Sequence, residues 1–376
     1  ATWEGRVFAL ASCLNCFTDG RQEYCVALDA ASGSCVWATQ LNLGSRANST
    51  PTVADGSVYV YSSECTLCRL DAATGSVWWK RDLQEEYGGG SVPYGNSQSP
   101  WVEDGRVFVQ ISADTNCLMA FDASTGDLLW RGHTNGLTYG SPVGATIHGV
   151  RQIIFPDPNG LVAVTPDSGQ MLWQHSQNAT SPSYSYDNGP SPVVHGDVAF
   201  CSNKYGTQAV RIGCSDGVFS TEVLWTNRSL GDLYTTLVIH EDCVYGTSRG
   251  RLHCLELTSG RVRWQSDGTV RMASVILVGN RLLAQAESGE LILAEASPLK
   301  YQQLGRSSQR STGSLNSPAF CGGRIYVRSL EKIVCLDTSP LPPIAISAAL
   351  AAGTDRLRLT VSCSDGSLLS ANRASR

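Results

Sequence analysis

Cysteines are the residues of this chain with the widest range of possible chemistry, because a thiol can bind a metal, form a disulfide or stay reduced. The 376 residues include 14 cysteines. The pairs Cys13-x-x-Cys16 and Cys65-x-x-Cys68 have the spacing of ligands in a four-thiolate zinc site. The competing interpretations are disulfides and reduced thiols that act as small apolar groups. We expect disulfides and no metal site in the cluster formed by Cys13, Cys16, Cys25, Cys65, Cys68 and Cys117.

A further pair of cysteines flanks a predicted hairpin whose tip is formed by residues 247–250. Counting outward from that tip places Cys243 and Cys254 directly opposite each other. Opposed residues have Cβ atoms about 4.5–5.5 Å apart, and a disulfide needs about 3.5–4.5 Å. We therefore predict a disulfide in a favourable register, with simple space-filling by Cys254 as the alternative.

Other patterns that support catalysis or ligand binding are weak. The six histidines have no short metal-ligand spacing, and the sequence contains no Gly-rich phosphate loop and no nucleophile motif. A net charge of −5 without a basic cluster argues against nucleic-acid binding. No apolar stretch is long enough to span a bilayer. Trp101 either faces a central channel as a stacking surface or fills the wall between repeats.

Two longer connecting segments, residues 83–96 and 177–189, are the best sequence-level indication of a binding surface. They are rich in Tyr, Ser, Asn and Gly, the residue types of adaptable binding loops. Tyr87, Tyr184 and Tyr186 are the candidate binding residues there, and an ordinary flexible connection is the alternative.

Three N-x-S/T triplets begin at Asn48, Asn178 and Asn227. Such triplets are acceptors for N-glycosylation, although they also arise by chance in chains rich in Ser and Thr. Together with the many cysteines they favour an extracellular, periplasmic or luminal protein.

The strands that position these residues can be predicted from a repeated sequence phrase, Ala-x-Asp-x-x-Ser/Thr-Gly-x-x-x-Trp. Its copies recur at intervals of about 40 to 50 residues, which indicates a repeat architecture. A second phrase, Ser/Thr-Pro-x-Val, precedes a Gly turn and an apolar strand in most copies. We expect each tryptophan to pack against the neighbouring unit. These structural tryptophans are Trp37, Trp79, Trp130, Trp173, Trp225 and Trp264.

Each repeat contains four short strand-like runs and no long helical periodicity, which predicts an all-β protein of the β-propeller class. Eight copies can be counted, so we predict eight four-stranded blades within residues 1–343. Residues 344–376 form a partial repeat. We expect the ring to be closed by N- and C-terminal strands, with the tail supplying a strand that the first blade lacks.

The Asp-x-x-Ser/Thr-Gly-x-x-x-Trp phrase resembles the tryptophan-docking motif of PQQ-like, or quinoprotein-type, propellers. That resemblance implies the fold and leaves function open. The quinone-dependent dehydrogenases of the family use PQQ and calcium, with a disulfide between adjacent cysteines. This chain has no Cys-Cys pair and lacks the long insertions of those enzymes.

We therefore expect a non-catalytic scaffold that binds protein partners outside the cytosol, without a cofactor. The alternatives are a quinoprotein oxidoreductase that uses PQQ and calcium, and a ligand-sensing domain of a larger protein.

Overall fold

The computed structural model consists of short antiparallel strands and one five-residue helix. For Cys13, Asn42, Met272, Ala273 and the strands beyond residue 344, only the backbone is described. The described residues are 1–13, 22–42, 47–90, 94–113, 115–133, 138–177, 189–231, 235–268, 272–307, 317–328, 332–338, 345–350, 357–362 and 368–369.

Consecutive strands form antiparallel sheets, and eight of these sheets are the blades of a ring. The first strand of a blade is the inner one and the fourth is the outer one. Blades 1 and 2 contain β1 (Thr2–Trp3), β2 (Arg6–Cys13), β3 (Gln22–Asp29), β4 (Cys35–Asn42), β5 (Thr52–Ala54), β6 (Ser57–Tyr61), β7 (Thr66–Asp71) and β8 (Val77–Asp82). Helix α1 (Leu83–Tyr87) leads to blade 3. Blades 3 and 4 contain β9 (Trp101–Glu103), β10 (Arg106–Gln110), β11 (Leu118–Asp122), β12 (Leu128–Gly132), β13 (Val143–Ile147), β14 (Val150–Asp157), β15 (Gly160–Val164) and β16 (Met171–Ser176).

The second half of the ring repeats this order, except that blade 8 has three strands among the described residues. Blades 5 and 6 contain β17 (Val193–His195), β18 (Val198–Asn203), β19 (Gly206–Ser215), β20 (Val218–Asn227), β21 (Val238–His240), β22 (Cys243–Ser248), β23 (Arg251–Glu256) and β24 (Val262–Gln265). Blades 7 and 8 contain β25 (Met272–Val278), β26 (Arg281–Ala286), β27 (Leu291–Glu295), β28 (Gln303–Arg306), β29 (Ala319–Cys321), β30 (Arg324–Arg328) and β31 (Ile333–Asp337). The tail forms a separate sheet of β32 (Ala345–Leu350), β33 (Leu357–Ser362) and β34 (Leu368–Leu369).

The ring closes where blade 8 meets blade 1. Arg324 at the start of β30 donates from Nη1 to the Ala30 carbonyl of blade 1 at 3.0 Å. Arg6 at the start of β2 makes the equivalent bond to the Ala72 carbonyl of blade 2 at 2.7 Å. The last blade therefore contacts the first as blade 1 contacts blade 2, and the prediction of an eight-bladed all-β propeller is confirmed.

The expected role of the tail in blade 1 is wrong. Blade 1 contains four strands of its own, because Thr2–Trp3 pairs with Arg6–Val7 as the inner strand. The described strands of the tail pair only with one another. The repeated phrases did not predict β1, because this strand is only two residues long and no Ser/Thr-Pro phrase precedes it.

The apolar core lies between blades, and the repeated tryptophans are its centre. Four of the six predicted tryptophans cover a glycine of the next blade, where a side chain would collide with the indole ring. A Cβ on Gly75 would lie 2.6 Å from the Trp37 ring, and a Cβ on Gly126 would lie 2.6 Å from the Trp79 ring. Trp130 covers Gly169 and Trp225 covers Gly260 in the same way.

The indole nitrogens tie the same blades together by hydrogen bonds. Five of the six donate from Nε1 to a backbone carbonyl in the turn of the next blade. The bonds run from Trp37 to Ala72 (3.2 Å), Trp79 to Ala123 (3.0 Å), Trp130 to Pro166 (2.8 Å), Trp225 to Leu257 (2.9 Å) and Trp264 to Ser297 (2.7 Å). Each buried indole thus satisfies its one donor while covering apolar surface.

The junction between blades 4 and 5 is built differently. Trp173 donates to the Gln152 side chain of its own blade at 2.7 Å. Blade 5 has no Ser/Thr-Gly turn to receive the indole, because β19 and β20, ten residues each, continue as one long hairpin to Asp216-Gly217. Phe219 of this hairpin packs in the cluster that holds Trp173.

The residue at the Asp position of the repeated phrase shapes the turn that receives a tryptophan, and this residue is Asp71 for Trp37 and Asp122 for Trp79. Oδ1 of Asp71 accepts bonds from the Ala73 and Thr74 amides and from the Thr74 hydroxyl. These bonds favour the carboxylate and lower the pKa of Asp71. Gly75 then takes a φ of 74°, which a residue with a Cβ rarely adopts.

The Ser/Thr before each inner-strand proline makes a second set of bonds between blades. Each backbone amide donates to the hydroxyl oxygen of the equivalent residue one blade further on. The chain runs from Thr50 to Ser99 (3.0 Å), Ser99 to Ser141 (2.8 Å), Ser141 to Ser191 (3.0 Å) and Ser191 to Thr236 (3.3 Å). These residues link the inner strands of blades 2 to 6.

Adjacent tryptophans on β8 provide a test of the docking interaction. Trp79→Ala should lower the free energy of unfolding by roughly 3–5 kcal/mol, because it leaves a cavity between blades. Trp78→Ala is the matched control, since Trp78 is 62% exposed and Trp79 is 9% exposed. We expect the control to cost about 1 kcal/mol or less, through its contact with Arg69. Urea denaturation of both variants measures the difference, and equal losses would contradict the docking role.

Candidate functional site

The two faces of the ring differ in their loops. The Asp-x-x-Ser/Thr-Gly turns and the short links from the first to the second strands lie on one face. Hairpins between the second and third strands and connections to the next blade lie on the other, which we call the loop face. The segments 83–96 and 177–189 both run from a fourth strand to the next inner strand, so their described ends lie on this face.

Helix α1 gives the loop face an acidic region. Asp82 caps the helix by accepting bonds from the Gln84 and Glu85 amides, and Gly88 ends it in the left-handed conformation. Asp82, Glu85 and Glu86 are exposed. Leu83 is fully buried and anchors the helix between blades 2 and 3.

Tyr87 lies at the end of α1 but is not a free binding residue. Its ring packs edge-on against Phe121 at 5.9 Å and lies 5.6 Å from the Arg131 guanidinium. The side chain is half-buried in the cluster between blades 2 and 3. The structure therefore assigns Tyr87 to packing, whereas Tyr184 and Tyr186 lie outside the described residues.

Other tyrosines are exposed on the loop face. Tyr94 is 65% exposed and packs edge-on against Tyr139 of the next connection at 6.2 Å. Tyr205 is 50% exposed in the hairpin of blade 5, with the Lys204 ammonium over its ring. Tyr94 belongs to segment 83–96, which the sequence indicated as part of a binding surface. Tyr205 was missed because its loop is only two residues long.

A buried carboxyl group joins blades 1 and 2 near the loop face. Glu23 is fully buried, and its Oε2 accepts bonds from the Ser63 amide (3.1 Å) and hydroxyl (3.0 Å) of blade 2. Its Oε1 has no hydrogen-bond partner among the described residues. Burial raises the pKa of Glu23 to about 7, although the two Ser63 bonds and Arg328 oppose the shift.

Trp101 is held within the wall between blades 3 and 4. Its Nε1 donates to Glu103 at 2.6 Å, and Glu103 also accepts bonds from Arg151 of blade 4. The ring packs against the cluster that contains Trp130 and Phe155. A Cβ on Gly144 would collide with this group, so glycine is needed there. Wall-filling, the alternative interpretation of Trp101, is the arrangement observed.

The two thiols of Cys65-x-x-Cys68 do not converge. Cys65 packs between blades 2 and 3, whereas Cys68 packs with Cys25 between blades 1 and 2. Cys117 is buried and donates to the Ala113 carbonyl at 3.1 Å. The structure describes these four as free thiols. Cys16 and the side chain of Cys13 lie outside the described part, and disulfides in the cluster stay a prediction.

The expected register of Cys243 and Cys254 is wrong by two residues. The turn consists only of Arg249 and Gly250, both with positive φ, so Cys243 faces Glu256 and Cys254 faces Tyr245. The two thiols are diagonal neighbours on one face of the blade, and both are buried and free. A disulfide between them stays a prediction.

The amide nitrogens of two glycosylation candidates are already engaged. Asn227 Nδ2 donates to the Gly260 carbonyl of blade 6 at 2.7 Å, and its Oδ1 accepts three bonds from Ser229 and Leu230. Asn48 Nδ2 donates to the Tyr94 carbonyl at 2.7 Å. A glycan on either nitrogen would have to replace these bonds. Asn178 lies outside the described residues, and glycosylation stays a prediction.

Within the described ranges, no three His, Cys, Asp or Glu side chains converge on a point where they could hold a metal ion. Trp101, the candidate stacking surface, donates to Glu103 and packs between blades. Binding of PQQ and calcium stays the alternative prediction.

The repeats match a known protein family over more than half of the chain. The family described as outer membrane protein assembly factor BamB matches residues 21–266. The chain belongs to this family. Proteins named outer membrane protein assembly factor BamB from Moranella endobia and Yersinia pestis are 23% and 24% identical over 70% of this chain. The matches span 66% and 64% of those proteins' own lengths.

Solved structures support the same fold. BamB from Moraxella catarrhalis superposes with a TM-score of 0.62 at 15% identity, covering 89% of this chain and 98% of that one. Quinohemoprotein alcohol dehydrogenase from Comamonas testosteroni superposes with a TM-score of 0.59 at 14% identity, covering 86% and 72%. BamB and a quinohemoprotein alcohol dehydrogenase thus share the propeller fold with this chain. No helix in the described ranges is long and apolar enough to cross a bilayer.

The raised pKa of Glu23 predicts a pH dependence of stability. The folded state holds this proton up to about pH 7, whereas the unfolded chain releases it near 4.5. The contribution of this protonated carboxyl to the free energy of unfolding is therefore complete below pH 4.5 and is lost as the pH rises through 7. A shift from 4.5 to about 7 corresponds to at most about 3 kcal/mol. Urea denaturation between pH 5 and 8 measures this loss. Glu23→Gln resembles the protonated acid and should flatten the profile, and an unchanged slope in that variant would contradict the assignment.

Thiol accessibility gives a second prediction. Iodoacetamide should modify the exposed Cys35, Cys214, Cys321 and Cys335 in the native protein first. Burial raises the pKa of Cys68 and Cys201 to about 12, so both should react only after unfolding in urea. Mass spectrometry of peptides prepared without reduction measures both classes and detects any Cys243–Cys254 disulfide. Equal rates for buried and exposed thiols would contradict the described burial.

Proposed function

We propose that this chain is a non-catalytic scaffold that binds protein partners outside the cytosol through its loop face. The family match over residues 21–266 carries the proposal, because relatives in that family are named outer membrane protein assembly factors. That name also supports a place in the periplasm or an equivalent compartment.

The loop face has the composition of a protein-binding surface. Exposed Tyr94 and Tyr205 provide large, rigid contact areas, and tyrosine is enriched at binding interfaces. The charges are divided across the ring. Exposed Asp82 and Glu85 lie beside blades 2 and 3, and exposed Lys204 and Arg249 lie on blades 5 and 6. This separation favours partners with a complementary distribution of charge and orients them on the ring.

A matched set of variants tests the loop face. The immobilised chain is used to capture proteins from an extract of its own source, and the captured proteins are identified by mass spectrometry. Tyr94→Ala combined with Glu85→Lys should abolish capture of the specific partners. Trp78→Ala removes an equally exposed aromatic from the outer wall and should leave capture unchanged. Loss of the same partners in both variants, or in neither, would argue against the loop face.

The proposal also holds that the protein works without a cofactor. Purified protein mixed with PQQ and Ca²⁺ should show neither saturable binding in its absorbance spectrum nor dehydrogenase activity with a dye acceptor. Either signal would replace this proposal with the oxidoreductase alternative. Glu103→Gln, which removes the charge beside Trp101, then serves to locate the bound quinone.

A further inference from the structure

The turn of the blade 2 hairpin, residues 62–65, is held in place from blade 1. Glu23 lies on β3 of blade 1 and is fully buried. Its Oε2 accepts bonds from the Ser63 amide (3.1 Å) and hydroxyl (3.0 Å), and both bonds cross the boundary between the blades. The Cys65 amide donates to the Ser62 carbonyl at 3.2 Å within the turn. A carboxyl group of another blade therefore fixes this turn together with the turn's own backbone bonds.

The same turn supports the segment that carries Tyr94. Asn96 is fully buried and donates twice to the turn, from its amide to the Ser63 carbonyl at 2.9 Å and from Nδ2 to the Ser62 carbonyl at 3.2 Å. A Cβ on Gly95 would lie 3.0 Å from the Ser63 Cβ, so the backbone of the segment packs closely against this serine. Tyr94, the exposed aromatic of the loop face, is the preceding residue.

Helix α1 is attached to the turn as well. The Leu83 amide donates to the Cys65 carbonyl at 3.0 Å, and Leu83 is the residue that anchors the helix between blades 2 and 3. Exposed Glu85 follows two residues later. The acidic and the aromatic parts of the loop face are thus bonded to the same four residues, and a shift of the turn displaces both.

Charged and titratable groups face Glu23 from three blades. Burial raises the pKa of Glu23 to about 7 against its two hydrogen bonds, Glu64 of blade 2 raises it further, and Arg328 of blade 8 lowers it. The thiols of Cys25 on β3 and Cys68 on β7 are buried in the same interface. Burial raises the pKa of both thiols, so they stay neutral. Glu23 is therefore the group of this interface that changes charge near neutral pH.

Ionisation of Glu23 favours a shifted turn. The neutral carboxyl stays buried at little cost while its Oε2 holds Ser63. Once the proton has passed to solvent, the carboxylate gains free energy by hydration, and water reaches it when the turn moves away from blade 1. The pKa is about 7 with the turn closed and near 4.5 in a hydrated state, so opening becomes easier as the pH rises through 7.

We propose that Glu23 positions the loop-face binding site, and that loss of its proton releases the turn that carries both Tyr94 and α1. The site is ordered in mildly acidic solution and loosened in mildly alkaline solution, so partner binding weakens as the pH rises from 6 to 8. The inference rests on the proposed protein-binding role of the loop face and adds the regulation of that site by pH.

Hydrogen exchange of the free chain, followed by mass spectrometry, tests the positioning role without a partner. After correction for the intrinsic effect of pH on exchange, amides of residues 94–98 should exchange roughly fivefold faster at pH 8 than at pH 6. Residues 228–231 are the control, because the Leu230 and Gly231 amides donate to the neutral side chains of Asn227 and Ser248. Their corrected rates should be equal at both pH values.

Three variants separate ionisation of Glu23 from a purely structural contact. Glu23→Gln cannot ionise and should keep the slow exchange of residues 94–98 at both pH values. Glu64→Gln removes a like charge beside Glu23 and should move the midpoint of the change to lower pH, which a contact without titration would not do. Glu222→Gln, on the exposed outer strand of blade 5, is the matched control and should leave the midpoint unchanged.

Partner capture at pH 6 and pH 8 connects the turn to binding. Capture by the unmodified chain should fall at pH 8, and Glu23→Gln should restore it. Exchange of residues 94–98 that is unchanged or slower at pH 8, or that rises equally in Glu23→Gln, would overturn the proposal. Capture that stays constant while exchange responds to pH would overturn it as well.

The two measurements distinguish the function of the loop face from its regulation. Exchange that responds to pH without capture at either pH excludes the loop-face function and supports the positioning role of Glu23. Capture that depends on Tyr94 and Glu85 but is insensitive to pH supports the loop-face function and excludes its regulation through Glu23.

Discussion

The ring depends on one repeated contact, an indole from one blade laid over a glycine of the next with its nitrogen bonded to a carbonyl of the same turn. In its complete form the contact combines three features in two blades: a tryptophan on the outer strand of one, and a tight turn and a glycine with positive φ in the next. Each indole therefore fixes the distance and the orientation of its neighbour. The inner strands repeat this coupling through the amide-to-hydroxyl bonds from Thr50 to Thr236.

Much of the architecture could be predicted from the sequence because each repeat carries a receiving turn and a docking tryptophan close together in the chain. Asp71, Thr74, Gly75 and Trp79 lie within nine positions, so blade number and strand order follow from counting copies. Errors arose where one residue changes the geometry. Counting the hairpin of blade 6 with a four-residue tip misplaced Cys254, whereas Arg249 and Gly250 both adopt positive φ and close the turn alone. The two-residue strand β1 carried no pattern long enough to detect.

The candidate sites were less predictable because they combine residues from different blades. Tyr87 lies in a segment with the composition of a binding loop, but its ring packs against Arg131 and Phe121 of blade 3. Glu23 is an ordinary acidic residue in the sequence, and only the packing of blade 2 against blade 1 buries it. Cys65 and Cys68 have metal-ligand spacing, yet Cys65 lies in the hairpin turn with a positive φ and Cys68 lies on β7, so the two thiols pack between different pairs of blades. The Ser-Pro phrase is visible in the sequence, but the hydroxyl group that accepts the hydrogen bond from each serine amide lies more than 40 residues away.

The junction of blades 4 and 5 has a consequence for how the ring moves. In an array where each unit contacts only its neighbours, the weakest interface decides where the array first separates. The indole bond of Trp173 stays within blade 4, so it does not have to break when the two blades part. Slow opening events, on the timescale of amide hydrogen exchange, should therefore include separation of these two blades, which opens the ring into a single arc. The long hairpin of blade 5, with its two ten-residue strands, spans this boundary and sets how far blades 4 and 5 separate before they close again.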